Sequence, residues 1–219
     1  MADSRLRAGG AQEGGAAAPE SLAASERPIF YFDFSSPECW LAAERVNHEL
    51  AAVPVWIPVR LVGAHSRRRP SDEDLADIER RAVAQGLPAP RLPDPWPARL
   101  DVALRAATFA AASGRVVAFS LAALRQAFAA GRDLSQIENV LIAAAACELH
   151  PRAVLKGIES RSTEQRLRTA SEEAATRGVE QTPAVAAGGH LFHGAAAVEK
   201  ATQVASYLVS VAEEKSTST

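Results

Sequence analysis

Residues 28–41, Pro28-Ile29-Phe30-Tyr31-Phe32-Asp33-Phe34-Ser35-Ser36-Pro37-Glu38-Cys39-Trp40-Leu41, decide how the rest of the chain is read. Pro28 to Phe34 is an aromatic and β-branched run of strand length, which suits a buried strand. It stops at Ser35-Ser36-Pro37. One of the serines supplies a helix N-cap, and Pro37 takes the first helical position, where a missing N–H costs nothing. Leu41, Val46 and Leu50 give the helix an apolar face to about Ala51. Pro54 to Leu61 (PVWIPVRL) reads as a second strand whose prolines suit its start or a sheet edge. Strand, helix and strand in succession predict a parallel βαβ unit.

Beyond this unit the pattern is helical from Ser71 to about Ala170. Helices are expected at Asp72 to Ala84, Arg99 to Ala112 and Val116 to Ala130, with Gly114 and Gly131 near C-caps and a proline-rich connector from Pro88 to Pro97. Ser135 with Glu138 predicts a capping box for a helix that passes Cys147 and halts at His150-Pro151. Ser162 with Gln165 predicts another, opening a helix that ends at Gly178. Strand signals return at Pro183 to Ala186 and His190 to His193, separated by Gly188-Gly189, a pair suited to a two-residue hairpin. An amphipathic helix from about Ala196 closes the chain. Without the helical block the order is β-α-β-α-β-β-α, that of an α/β, thioredoxin-like fold with a large all-helical insertion after the second strand. The expected organisation is a disordered leader over 1–27, a first part of the thioredoxin-like domain over 28–62, the insertion over 63–165, the second part over 166–213 and a frayed tail over 214–219.

Composition narrows the function. The chain has 219 residues, 47% apolar and 23% charged, enough to bury a sizeable core. Its 24 basic and 26 acidic residues nearly cancel, leaving no electrostatic footprint for nucleic acid or an anionic membrane. No apolar run has spanning length and no secretory leader pattern opens the chain, so a cytoplasmic, unanchored protein is expected. Two cysteines, Cys39 and Cys147, make neither a disulfide framework nor a metal cluster. The five histidines show no metal-binding spacing, and there is no phosphate loop or serine elbow. No metal is expected.

Two segments can carry chemistry. At Ser36 the chain leaves a strand and opens a helix, so free N–H groups and the helix dipole favour an anion there, and the Ser36 hydroxyl can donate to the same species. A serine before a proline is equally an ordinary helix start. The second segment is Gln181-Thr182-Pro183, where a cis Thr182-Pro183 bond would turn the Thr182 backbone outward to pair with an extended ligand. It also fits a trans proline opening a strand.

Together these segments resemble the DsbA-like branch of the thioredoxin superfamily, nearest to 2-hydroxychromene-2-carboxylate isomerases and kappa-class glutathione transferases. The residues that carry the resemblance are Asp33-Phe34-Ser35-Ser36-Pro37-Glu38-Cys39-Trp40-Leu41, with further similarity in Asp77 to Leu87, Gly114-Arg115, Ala118 to Asp133 and Gly178 to Pro183. The resemblance implies that Ser36 is catalytic, hydrogen-bonding the sulfur of glutathione and favouring its thiolate. It implies a ligand-binding set of Pro37, Glu38, Gln181, Thr182, Pro183, Gly194, Ala195 and Ala196. Cys39, Trp40, Trp96 and His193 are expected around a substrate pocket, with Trp40, Trp56 and Trp96 as candidate apolar walls. The implied partners are a small-molecule substrate and a low-molecular-weight thiol, with glutathione as co-substrate, in a homodimer.

Departures from the family pattern mark alternatives. Gly194-Ala195-Ala196-Ala197 stands where the family carries a serine and an aspartate for the γ-glutamyl end of glutathione. Losing that charged contact costs about 1.5–3 kcal/mol, roughly one to two decades of affinity. Arg67-Arg68-Arg69-Pro70 replaces the family's Asn-Pro segment and reads either as a carboxylate site or as a solvated basic loop. Ser36 occupies the first and Cys39 the second position of the Cys-x-x-Cys motif of dithiol relatives, so two-cysteine cycling within the motif is chemically impossible. The alternatives to a thiol-dependent isomerase or transferase are a DsbA-like protein that has lost glutathione binding and a single-thiol oxidoreductase using Cys39.

Overall fold

The computed structural model describes residues 27–61 and 69–217. The chain runs β1 (Ile29–Phe32), α1 (Pro37–Glu49), β2 (Val55–Pro58), α2 (Asp72–Ala84), α3 (Asp101–Ala112), α4 (Val116–Phe128), α5 (Ile137–Ala145), α6 (Pro151–Glu159), α7 (Arg161–Thr176), β3 (Ala184–Ala187), β4 (His190–His193) and α8 (Ala197–Thr217). The four strands form one mixed sheet in the order β2-β1-β3-β4. β1 is parallel to β2, with Phe30 opposite Trp56, and antiparallel to β3, with Phe30 opposite Val185. β3 and β4 form the expected hairpin across Gly188-Gly189, whose φ values of 57° and 77° suit glycine.

Alternation along β1 sorts its side chains onto two faces. Phe30 and Phe32 are fully buried on the face covered by α1 and α8, where they join Phe34, Trp40, Val46, Trp56 and Val198. Phe30 and Phe32 each meet Trp56 edge to face at 4.8 and 5.4 Å between centroids. Such pairs add about 0.5–1.5 kcal/mol each beyond their area burial. Tyr31 points to the opposite face, where Val59, Ala174 of α7 and Val179 cover it. The aromatic run is therefore a central strand sealed on both sides.

Alanine governs the helical insertion. Ala103, Ala106, Ala107 and Ala110 are fully buried on α3, which packs against α4, α6 and α7. Small side chains let these backbones approach closely. The tightest place is Gly157 of α6, where an added Cβ would stand 2.3 Å from the Phe109 ring of α3.

Several expected elements differ in detail. The strands are shorter than their sequence signals, although Val59 N–H still donates to the Phe32 carbonyl at 2.9 Å just past β2. The Ser135–Glu138 capping box does not form. The Ser135 N–H and hydroxyl both turn back to Asp133, at 2.8 and 2.5 Å, and α5 starts at Ile137 without a side-chain cap. Pro151 opens a helix instead of only ending one, because the His150 ring nitrogen accepts the Arg152 N–H at 3.2 Å and Pro151 fits the first helical position. Ser160 rather than Ser162 caps α7, and Gln165 lies inside it, bonded to Thr169 and Arg168.

The expected leader lies outside the described residues except for Arg27, whose guanidinium donates to the Val53 carbonyl. α8 is assigned to Thr217. Among the described residues, no helix is long and apolar enough to cross a membrane, and no group of three His, Cys, Asp or Glu could hold a metal ion.

Candidate active site

The C-terminal end of β1 and the N-terminal end of α1 meet at Ser35-Ser36. Ser36 is the N-cap of α1, with extended backbone at φ −141° and ψ 145°, and Pro37 follows as the first helical residue. The Ser36 Oγ accepts the Cys39 N–H at 3.2 Å. It donates no hydrogen bond among the described residues, so its proton is available to a ligand. Glu38 stands in the first turn and is held by Arg81 of α2 at 3.4 Å.

Across from this turn the chain passes through Gln181-Thr182-Pro183, and the Thr182-Pro183 bond is cis. The Pro183 carbonyl accepts the Gly194 N–H at 2.8 Å, and Gly194 has a φ of 76°. Neither the N–H nor the C=O of Thr182 makes a hydrogen bond among the described residues, and its buried hydroxyl, beside Asp33 and Cys39, makes none of normal length. Two backbone polar groups on one residue thus await partners, where such groups are normally satisfied.

Between these two edges lies a cavity of about 200 Å³. Ser36, Pro37 and Glu38 form one wall, Gln181 and Thr182 a second, and Pro70, Asp74, Ile78 and Trp96 contribute to the remainder. A second cavity of about 480 Å³ adjoins it, and Ser35 and Trp96 line both. The larger cavity opens at the C-terminal ends of the parallel strands, bordered by Asp33, Phe34, Val59, Arg60 and Leu61, and is closed by Trp96 to Asp101 and Leu104. A crevice outside the carboxyl ends of parallel strands is where open α/β sheets hold ligands. Most of its walls are apolar.

Charge in the larger cavity is largely neutralised. Arg60 pairs with Glu164 at 2.7 Å and with Asp101, while Arg105 binds the same two carboxylates at 2.9 and 3.0 Å. These contacts tie the end of β2 to α3 and α7. Arg99, exposed at the rim, has no ion pair among the described residues.

Beneath the serines lies a polar pair, Asp33 and Cys39. Asp33, 4% exposed, accepts the Ser35 N–H at 2.9 Å, the Ser35 hydroxyl at 2.7 Å and the Cys39 thiol at 3.6 Å. Burial holds the Asp33 carboxyl above its ordinary range, against the opposing effect of bonds from Ser35 and the nearby Thr182 and Cys39 side chains. Burial also pushes the Cys39 thiol well up, and the Asp33 charge adds to that. In the sequence Asp33 is only the first letter of the motif, an acid ending a buried aromatic strand, with no role attached.

The structure brings Ser36, Pro37, Glu38, Gln181, Thr182 and Trp96 to one cavity. Other expected pocket residues stand elsewhere. Trp40 is 1% exposed in the core with its indole N–H on Glu44 at 2.9 Å, because the fourth residue of α1 packs with Phe30, Phe32 and Trp56 in the main core. Trp56 is buried on β2 with its N–H on Asn47 at 3.0 Å. Cys39 is fully buried and points to Asp33. His193 sits on β4 and accepts the Glu180 N–H at 3.4 Å. Gly194, Ala195 and Ala196 do not line the cavity, and Gly194 serves the Pro183 loop from behind. Arg67 and Arg68 lie outside the described residues, and Arg69 is exposed.

Comparison with known proteins gives a family and a fold. The family model described as DSBA-like thioredoxin domain matches residues 29–205. No curated protein matches the chain. Among solved structures, a 2-hydroxychromene-2-carboxylate isomerase superposes with a TM-score of 0.70 at 17% identity, covering 89% of this chain and 100% of its own. A Streptomyces coelicolor protein described as a probable DsbA oxidoreductase gives a TM-score of 0.69 at 20% identity, covering 84% and 90%. The cytosolic disulfide reductase DsbM from Pseudomonas aeruginosa, solved with GSH, gives 0.57 at 16% identity, covering 86% and 98%. At these identities the likeness speaks for the fold.

Proposed function

The chain belongs to the DSBA-like thioredoxin domain family, and from that premise we propose that it is an isomerase or transferase dependent on a low-molecular-weight thiol, with Ser36 as the thiol-activating group. The observation that carries this reading is the Ser36 hydroxyl, which caps α1 and keeps its own proton free beside the cavity. A thiol entering there meets that hydroxyl and the positive end of α1, and both favour its thiolate. The unpartnered Thr182 N–H and C=O suit the backbone of an extended peptide thiol, in a strand-like pairing. Glutathione is therefore the first candidate. The solved complex of DsbM with GSH supports the choice by analogy of fold.

The larger cavity then receives the electrophile, and its apolar walls exclude water from the reacting carbon. Adding the thiolate to an electron-poor double bond makes that bond single, rotation follows, and expulsion of the thiolate gives the isomer. With an electrophile that carries a leaving group the same thiolate completes a transfer.

A second reading draws on Gly194-Ala195-Ala196-Ala197, which offers neither carboxylate nor hydroxyl for a γ-glutamyl ammonium. On that reading the cavity is a binding module that no longer takes glutathione. Thermal unfolding with millimolar glutathione separates the two, since a ligand selective for the folded state raises Tm by mass action. A rise in Tm, with thiol-dependent turnover abolished by Ser36→Ala, is expected. Absence of any rise, or full turnover in Ser36→Ala, would sink the thiol-activation reading.

A further inference from the structure

The thiol-dependent reading leaves the Asp33 carboxyl without a role. Asp33 lines the larger cavity, yet it is only 4% exposed. Its Oδ1 is fixed by the Ser35 N–H, the Ser35 hydroxyl and the Cys39 thiol. Its Oδ2 accepts no hydrogen bond of normal length among the described residues, the Thr182 hydroxyl being the one further donor close to the carboxyl. A carboxyl kept only for structure has both oxygens satisfied when buried, whereas this one is anchored through one oxygen and spare at the other. Ser35 forms part of the wall shared by the two cavities, so the carboxyl stands on the substrate side of the Ser36 hydroxyl.

We propose that Asp33 is a catalytic acid and base, giving its proton to the carbonyl oxygen of a conjugated substrate in the larger cavity and taking it back when the thiol leaves. The proposal rests on the thiol-dependent reading. In the forward step the thiolate lone pair forms a C–S bond to the β-carbon. The alkene pair shifts toward the carbonyl, and the carbonyl π pair takes the Asp33 proton, leaving an enol and an Asp33 carboxylate. After rotation the carboxylate recovers the proton, the carbonyl re-forms, the C–S bond breaks and the thiolate departs. Nothing is oxidised or reduced.

Burial keeps the carboxyl protonated above the usual carboxylate range, as an acid needs. The titratable and charged groups around it are few. Cys39 of α1 is held as the neutral thiol. Arg60, after β2, is occupied by Glu164 and Asp101, and Arg99 and Asp101 border the same cavity at the start of α3.

Two electrophiles used with glutathione and the full chain test the proposal. Addition to benzylideneacetone requires a proton at the enolate, whereas chlorodinitrobenzene expels chloride and needs none. Asp33→Asn should lower kcat/KM for the enone on the order of a hundredfold more than for the aryl chloride. The wild-type enone rate should fall along an alkaline limb that Asp33→Asn lacks. Equal losses on both electrophiles, or an alkaline limb retained in Asp33→Asn, would overturn the role of Asp33 and leave thiol activation standing. Should Asp33→Asn not fold, the wild-type profiles decide: a limb confined to the enone supports the role, and a limb shared with the aryl chloride, or absent, overturns it. Absence of turnover with both electrophiles, or full activity in Ser36→Ala, overturns the thiol reading and the role together.

Discussion

The Cys39 thiol lies 3.6 Å from Asp33 Oδ1, and neither residue is more than 4% exposed. The second position of the motif therefore faces inward, toward an acid, rather than outward toward a mixed disulfide. The Asp33 charge makes ionisation of the thiol harder, because two negative charges would share one dry site, while the bond from the neutral thiol eases ionisation of Asp33. The thiol stays protonated, and Ser36, not Cys39, is what the helix N-terminus presents to solvent.

This arrangement makes both cysteines poor nucleophiles in the native protein. Cys147 is 5% exposed and its thiol faces the carbonyls of Ala144 and Ala143 at 3.2 and 3.5 Å. Burial raises it above the ordinary thiol range. Iodoacetamide at neutral pH is expected to label neither residue until denaturant is added, as read by mass spectrometry. Rapid labelling of native Cys39 would contradict the inward orientation.

Asp33 makes stability depend on pH in the direction opposite to most carboxyls. Its folded pKa is raised, so the folded state holds a proton that the unfolded chain has released. Stability is fullest below the ordinary carboxylate pKa and declines as pH rises through the raised folded value. Asp33→Asn keeps an acceptor for Ser35 and removes this titration. Its Tm should exceed that of the wild type at neutral pH, by about 2–4 °C for each kcal/mol recovered, and the advantage should vanish on acidification. A lower Tm for Asp33→Asn at every pH would show that the carboxylate is stabilising.

Much of the fold was legible because the deciding residues act locally. The run from Ile29 to Phe34 can only be a buried strand, Ser36-Pro37 can only open a helix, and Gly188-Gly189 supplies the positive φ of the hairpin. Ser36 and Thr182, 146 positions apart in the numbering, come together because β1, which leads into Ser36, pairs with β3, which follows Thr182, and only motif resemblance, not periodicity, links them in the sequence. What stayed hidden depends on long-range packing. Trp40 reads as a pocket wall until the sheet face that covers it is known, and Ser135 reads as a cap until Asp133 is seen to take both its donors. Asp33 was visible as a letter in the motif, but its chemistry comes from burial, which no single sequence displays.

Placing a thiol at the head of α1 tests the electrostatics of that position directly. In Ser36→Cys the sulfur should take the Cys39 N–H that Ser36 Oγ now accepts, and the helix dipole should favour its thiolate. Its pKa, read from the pH dependence of alkylation, is expected below the value of about 8.5 of a free cysteine. A thiol at Ser36→Cys that titrates at or above that value would show that the helix mouth does not stabilise anions.

Gly157 offers a test of the insertion's packing that is independent of chemistry. It lies inside α6, where glycine is about 1 kcal/mol less favourable than alanine in a helix interior. Propensity alone therefore predicts that Gly157→Ala stabilises. The added methyl would, however, stand 2.3 Å from Cδ2 and 2.5 Å from Cγ of Phe109, well inside contact distance. The ring cannot yield freely, since α3 is the helix on which α4, α6 and α7 pack. Overpacking of this kind costs about 1–3 kcal/mol, so it outweighs or at least cancels the helical gain. Gly157→Ala should lower Tm in thermal unfolding, and Gly157→Ala combined with Phe109→Leu, which shortens the opposing side chain, should recover part of the loss. A single Gly157→Ala variant more stable than the wild type would mean that α3 and α6 do not approach as closely as described.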